Sequence, residues 1–448
     1  MQRVARAAIT GRPVSIAVVG AGERGKIYAG FALENPHLLR VVAIAEPSPR
    51  RREAFLKRHP EIPPTNVFSD WRDMIKKEKL SDAVAICMLD QMHAESVCAF
   101  AERGYDVLCE KPMAISPRDC ADIVRSVLKN GVIFAVCHVL RYSPYNRALK
   151  RLLDSNAVGE IVNIVHVEPV GWWHFAHSYV RGNWAREDQA TFSLMAKSCH
   201  DLDIICHYMT PTNPPTRVSS FGRLTHFTRS QKPAEAGTAT RCVSCAYEPS
   251  CPYSAPKVYL DPAKQDDRNW PSSVVCGGGE VAVDVESITQ ALQTGPYGLC
   301  VYECDNDVCD HQVVNVEFAN GATASFTMVA FTERICERQT RIHGTRGEIV
   351  GDSLTIKHTD FTTGKTVVID PGTEIDGVSG GGSGHGGGDY GLIATFVEAV
   401  KRGDPGVLGC SPKQALVSHA LVFAAEEARK AGTVVNVREF MGRSGCDV

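Results

Sequence analysis

What the sequence lacks narrows the field first. It contains no run of eighteen apolar residues, so no segment has the length and polarity of a membrane-crossing helix. It lacks an excess of either charge, with 48 Lys and Arg against 51 Asp and Glu for a net −3. That balance gives no electrostatic reason to expect nucleic acid or an anionic membrane as partner. The opening stretch MQRVARAAITGRP carries Arg3, Arg6 and Arg12 and no acid, but has no apolar signal-peptide core. A disordered lead-in is expected there, with an organelle-targeting segment as the alternative. A disulfide framework is missing too. The cysteines number seventeen, an odd count, and many lie in apolar runs (Cys87, Cys98, Cys137, Cys206), as reduced thiols do in cores. A cytoplasmic protein is the expectation.

What is present is ordinary globular composition. At 448 residues, 44% hydrophobic and 22% charged, the chain exceeds one small core and predicts two domains. VSIAVVGAGERG is a β-branched run leading into Gly20-x-Gly22-x-x-Gly25 and then into helix-compatible sequence. The first glycine permits a tight turn, the second lets backbone approach a pyrophosphate, and the third lets helix and strand pack closely. The helix N-terminus adds free N–H groups and a positive dipole end. RVVAIAE then ends in Glu46, twenty-one residues after Gly25, where a carboxylate can accept the adenosine ribose hydroxyls. Its charge disfavours a 2′-phosphate and so favours NAD. Arg50, Arg51 and Arg52 would suit NADP, or else form a solvated helix face. Strands at 83–89, 106–112 and VIFAVCHV alternate with helices at 92–103 and 117–129, which predicts a parallel, doubly wound Rossmann sheet.

CEKP (109–112) falls at the carboxyl end of a predicted strand. With the Gly-rich turn, RYSPYN (141–146) and CHDLD (199–203), it resembles the Gfo/Idh/MocA family of oxidoreductases. The resemblance spans nearly the whole chain and is loosest between about 226 and 312. It implies a Rossmann domain at 1–138 and an α+β domain at 139–448 with an open, largely antiparallel sheet, the Cys-rich 226–312 segment being an insertion. It also implies hydride exchange with a carbinol carbon of a sugar, glycoside or cyclitol, and a homo-oligomer formed through the C-terminal sheet. Lys111 would contact substrate and the nicotinamide ribose, and His200 would accept the hydroxyl proton. Cofactor contacts are expected from Gly20, Gly22, Glu23, Arg24, Gly25, Glu46, His93, Glu110 and Lys111. Two other readings share this family: an NAD-dependent glycosidase working by transient oxidation and elimination, and a catalytically silent dinucleotide sensor.

The chain departs from the family where an Asp often precedes the His by four residues. Ala196 stands there, beside Lys197. Helical spacing can line Lys197, His200 and Asp201 along one stripe, with Asp203 toward another side. Lys197 is expected to aid catalysis by holding a hydroxyl or the developing alkoxide and by keeping His200 unprotonated; the alternative is a surface pair with Asp201 or Asp203. GWWHFAHSYVRGNW (171–184) suits a carbohydrate, since aromatic faces stack on C–H faces and polar groups meet hydroxyls. Tyr142, His174, His177, Arg181, Asp201 and Asp203 are the expected substrate contacts, unless 171–184 is an aromatic sheet edge or dimer contact. GVSGGGSGHGGGDYG (377–391) reads as a substrate lid or a linker, with His385 and Asp389 favouring the lid. Cys242-x2-Cys245-x5-Cys251 sits in a segment with little apparent core, which predicts a structural Zn²⁺ with Cys304 as fourth ligand. Cys300, Cys309, Cys276 and His226 are alternative fourth ligands, and unmetallated thiols are the other reading.

Overall fold

The computed structural model describes residues 8–209, 212–267, 269–277, 282–372, 375, 378–379 and 384–448. The expected lead-in over 1–7, and 377 and 380–383 of the Gly-rich stretch, lie outside the described residues. Six strands form the first sheet: β1 (Val14–Val19), β2 (Leu39–Ala45), β3 (Val67–Phe68), β4 (Ala83–Ile86), β5 (Asp106–Cys109) and β6 (Phe134–Val136). They run parallel in the order β3-β2-β1-β4-β5-β6. Helices on both faces bury every side chain of β4, β5 and β6, which is why these runs are short and continuously apolar. The order reverses between β1 and β4, and the crevice past their carboxyl ends is the ligand position of such open sheets.

Nine strands form the second sheet: β7 (Ile161–Pro169), β8 (Pro215–Arg223), β9 (His311–Phe318), β10 (Thr323–Val329), β11 (Gln339–Gly344), β12 (Gly347–Gly351), β13 (Ile356–Asp360), β14 (Lys365–Ile369) and β15 (Val435–Asn436). Their order is β14-β13-β12-β11-β7-β10-β9-β8-β15, antiparallel except for the β7–β10 pair. Buried and open positions alternate along β9 and β10, so one face meets the core and the other does not. The core face carries the helices Ser193–Met209, over β7 and β10, and Pro412–Ala431, over β8. The latter starts at a Ser411–Gln414 capping box and stops at Gly432.

Two features depart from a simple two-part chain. The helix Gly388–Arg402 returns to the first domain, where Tyr390, Leu392, Ile393 and Phe396 share a core with Val14, Ile16, Tyr28 and Phe31. The segment between β8 and β9 is an insertion with a core of its own. Ala255, Tyr259, Ile288 and Leu292 are completely buried there, and Cys242 and Cys276 pack among them. The expectation that this segment has little with which to build a core is corrected: its few apolar residues converge on one cluster.

Candidate active site

The turn after β1 is shaped by its glycines. Gly20 has φ +95°, and a Cβ there would meet the Cys87 carbonyl oxygen at 2.5 Å; one on Gly25 would meet the Gly20 oxygen at 2.0 Å. Around Gly22, by contrast, a Cβ would meet nothing within 4 Å, and no side chain caps the helix Glu23–Glu34 that follows. Backbone N–H groups therefore face open space, a fit for a pyrophosphate. At the end of β2, Glu46 accepts from Ala21 N (2.7 Å) and Ser48 N (2.9 Å), which fixes its carboxylate beside the turn. These residues fit a dinucleotide.

Arg24, inside the turn, reaches across the crevice. Its Nε donates to Glu110 Oε1 (2.6 Å), and its Nη2 donates to Tyr28 OH (2.6 Å) and Asp389 Oδ1 (2.7 Å). Glu110 also accepts from Tyr28 OH (2.7 Å) and from Lys111 N (2.9 Å). Burial opposes the Glu110 charge, but Arg24 outweighs it and holds the carboxyl below its usual range. Two of the expected cofactor contacts have side chains engaged within the protein. Glu23 pairs with Lys26 at 3.0 Å on the surface. His93 is fully buried, with Nδ1 2.8 Å from the Pro112 carbonyl and Nε2 3.2 Å from that of Met88, so its ring braces backbone.

The Ser193–Met209 helix is buried over almost its whole length, including Lys197, His200, Asp201 and Asp203. Lys111 Nζ donates to the carbonyl of Ala196 (2.8 Å), bringing its ammonium to the turn below His200. Both His200 ring nitrogens are buried without a hydrogen-bond partner among the described residues. Its ring lies 6.0 Å from that of His138 and 5.7 Å from that of His385. Burial first, then Lys111, His385, His138 and Arg338, pushes its pKa well below the usual imidazole range. The cation expected to act on it was Lys197; the structure assigns that effect to Lys111.

Lys197 is neither a surface residue nor a partner of Asp201 or Asp203. Its Nζ lies 3.3 Å from Glu168 Oε1 on β7 and donates to Cys336 Sγ (2.9 Å), which in turn is 3.6 Å from His174 Nδ1. Burial pulls its pKa down, but the Cys336 sulfur and Glu168 raise it above the usual range. Asp201 points into the sheet, accepting from Arg338 Nε (2.9 Å), with His166 Nε2 at 3.1 Å. Arg338 Nε is also 2.6 Å from Glu168. Asp203 accepts from Arg141 Nε and Nη2 at 2.6 and 2.7 Å. Both aspartates expected at the substrate are thus internal ion pairs.

Of the remaining expected contacts, only His174 opens toward Lys197. Tyr142 is buried and donates to the Leu408 carbonyl (2.9 Å), away from His200. His177 packs into the insertion, Nδ1 3.0 Å from Tyr259 OH, with burial and then Arg181 holding it at about 3. Arg181 is buried there as well, donating to the carbonyls of Leu299 (2.7 Å) and Tyr253 (2.8 Å) and to Cys242 Sγ (3.3 Å). Sequence reasoning missed Trp270, whose ring sits 5.1 Å from Trp173 and 4.9 Å from His174, and it missed Cys336 and Arg338. No periodicity or motif marks these three, because the insertion and the loop before β11 bring them in from far along the chain.

The zinc expectation is corrected. Among the described residues, no group of three or more His, Cys, Asp or Glu side chains is arranged to hold a metal ion. Cys242 is taken up by Arg181 and the insertion core, and Cys304 Sγ donates to the Cys300 carbonyl (3.3 Å). Burial raises the pKa values of Cys251, Cys300 and Cys304, as it does for thiols packed among apolar side chains. Cys245 lies beside them with a free thiol.

Two family models match, an oxidoreductase NAD-binding Rossmann fold over residues 14–138 and an oxidoreductase C-terminal alpha/beta domain over 150–437. The putative oxidoreductase YteT of Bacillus subtilis is 23% identical, with 69% of each chain covered. A 2,7-anhydro-N-acetylneuraminate hydratase of Mediterraneibacter gnavus is 30% identical over 43% of this chain, which spans about half (49%) of that protein. An inositol 2-dehydrogenase of Rubrobacter xylanophilus is 33% identical over 33% of this chain and 41% of its own length. Among solved structures, a levoglucosan dehydrogenase in complex with NADH superposes with a TM-score of 0.68 at 17% identity, covering 95% of this chain and 99% of that one. An inositol dehydrogenase homolog from Azotobacter vinelandii, complexed with NAD+, gives 0.66 at 15% identity over 95% and 98%. These two likenesses carry the fold. With both of its domains matched, the chain belongs to the Gfo/Idh/MocA oxidoreductase family.

Proposed function

We propose that the protein oxidises a secondary carbinol of a sugar, glycoside or cyclitol with NAD, and reduces the ketone in reverse. The observation that carries this reading is the buried His200 ring with both nitrogens unpartnered, beside Lys111 at the carboxyl end of the Rossmann sheet. Buried polar groups are as a rule hydrogen-bonded, so an opening of this kind calls for a water, an ion or a ligand as partner, and its place in the crevice favours a ligand. Gly20, Gly22 and Gly25 would cradle the pyrophosphate and Glu46 the adenosine ribose. A nicotinamide bound there supplies the hydride acceptor. Lys111 holds the substrate hydroxyl and stabilises the alkoxide, while neutral His200 takes the proton. Cys336, His174 and Trp270 wall the substrate side, joining sulfur and aromatic faces suited to a polyol.

The names of the inositol dehydrogenase and levoglucosan dehydrogenase relatives support the substrate class. Free thiols at all seventeen cysteines support a reducing, cytoplasmic setting, and among the described residues no helix is long and apolar enough to cross a membrane. Pairing of two copies through the C-terminal sheet belongs to the same proposal. The test is a polyol panel with NAD and with NADP, read at the reduced-nicotinamide absorbance. Sustained NADH formation supports the dehydrogenase. Tightly held NAD with substrate turnover but no net NADH would replace it with transient redox.

A further inference from the structure

His200 is well placed to take a proton and badly placed to keep one. It is buried, and Lys111, His138 and Arg338 are the charged or titratable groups around it besides His385. Among the described residues, no carboxylate hydrogen-bonds to its ring. One imidazole away the arrangement is reversed. His385 Nδ1 lies 3.2 and 3.3 Å from the two oxygens of Asp389, leaving Nε2 clear of that pair, and its side chain is 31% exposed. Asp389 is itself completely buried and anchored by Arg24 Nη2 at 2.7 Å. The two ring centroids lie 5.7 Å apart with the planes at 53°, so the rings are near neighbours. His385 also holds φ +57°, a left-handed conformation uncommon for a residue with a side chain. Such outliers persist where the surroundings enforce them, and they cluster at functional positions.

We infer that His385 and Asp389 form the proton outlet of the active site: the hydroxyl proton goes to a ring nitrogen of His200, then to His385 Nε2, then to solvent. The inference rests on the dehydrogenase reading above. In oxidation the carbinol loses a hydride to NAD+ and a proton to this path; in reduction the path delivers the proton back to the alkoxide. Asp389 stabilises the His385 imidazolium and holds its Nδ1–H, as a carboxylate does behind any base that must carry charge briefly. Burial opposes the Asp389 charge, but His385 and then Arg24 hold its carboxyl below the usual range, so it stays an anion. His385 is thus a relay residue that acts through His200.

The test pairs kinetics with spectroscopy. In His385→Gln, kcat for polyol oxidation should fall roughly 10²-fold with cofactor affinity unchanged, because the outlet is lost. Added imidazole should restore much of the rate and the solvent isotope effect should rise. Unchanged kcat, or a loss that imidazole does not rescue, overturns the relay. Histidine-labelled protein without cofactor gives an independent reading. Its neutral His385 ring should carry the proton on Nδ1, held by Asp389, with Nε2 bare, while His200 stays neutral. A His385 ring protonated on Nε2 overturns the relay even if no polyol is turned over, whereas an Nδ1–H ring with no polyol oxidation sinks only the dehydrogenase reading.

Discussion

The two flanks of the Ser193–Met209 helix are built on opposite rules. On the sheet flank, Lys197 and Asp201 sit with Glu168, Arg338 and His166, two cations against two carboxylates, each charge within reach of its opposite. On the cofactor flank, His200 has Lys111, Arg338 and two imidazoles about it and, among the described residues, no hydrogen bond. Both flanks are buried, so both exclude water. Removing one member of the paired set strands a buried charge, while removing His200 strands nothing. The first flank therefore holds the fold, and the second is explained by what binds there.

Five substitutions, the last read as a pH slope, would break or sharpen this contrast. The largest effect is expected for His200→Ala, with kcat down by about 10²–10⁴ and the unfolding midpoint unchanged or raised. A turnover loss below tenfold would move His200 out of the chemistry. Arg338→Met should cost about 3–5 kcal/mol by urea unfolding, since Glu168 and Asp201 lose their shared partner. A normal unfolding curve would show that the sheet flank tolerates unpaired charge. Lys197→Met should destabilise by about 1–3 kcal/mol yet leave the pH midpoint of activity in place, because the ammonium acting on His200 is that of Lys111. A shifted midpoint would return Lys197 to the catalytic flank. Glu46→Ser should raise the NADP to NAD usage ratio by about tenfold through lost repulsion of a 2′-phosphate. An unchanged ratio would mean that the carboxylate does not face the ribose.

The smallest effect concerns His177 in the insertion, which burial and then Arg181 hold at about 3. An unfolded imidazole protonates near ~6.5, so between those values the unfolded chain binds the extra proton. Stability is therefore lost as pH falls through that window. His177→Phe removes this contribution, and its acid limb should be shallower by about 1.4 kcal/mol per pH unit between pH 6 and 4. Equal slopes would mean that His177 is solvated in the folded protein.

The Rossmann half was legible because its signals are local. Gly20, Gly22, Gly25 and Glu46 lie within one βαβ unit, and a turn that must approach phosphate admits few residues. CEKP could be placed for the same reason. The substrate half was legible only in part. Helical spacing put Lys197, His200 and Asp201 on neighbouring faces, but spacing carries no information about which strand lies beneath. Glu168, Arg338 and Cys336 decide what Lys197 and Asp201 do, and all three arrive from the second sheet and its loops. The CxxC spacing suggested metal for a related reason: the apolar residues that absorb Cys242 are scattered from Ala255 to Leu292 and show no period.

The helix Gly388–Arg402 gives the first domain a late completion. The core formed by Val14 and Ile16 of its sheet and Phe31 of the helix Glu23–Glu34 is finished by Tyr390, Leu392, Ile393 and Phe396. At roughly 5–20 residues per second, the ribosome needs on the order of tens of seconds to travel from the last Rossmann strand to that helix. Through that interval the nascent N-terminal half carries an uncovered apolar patch, an invitation to chaperones and to neighbouring chains on the same message. A fragment ending near residue 138 would keep that patch for good, so the dinucleotide-binding half, for all its familiar pattern, is not a unit that can be cut free.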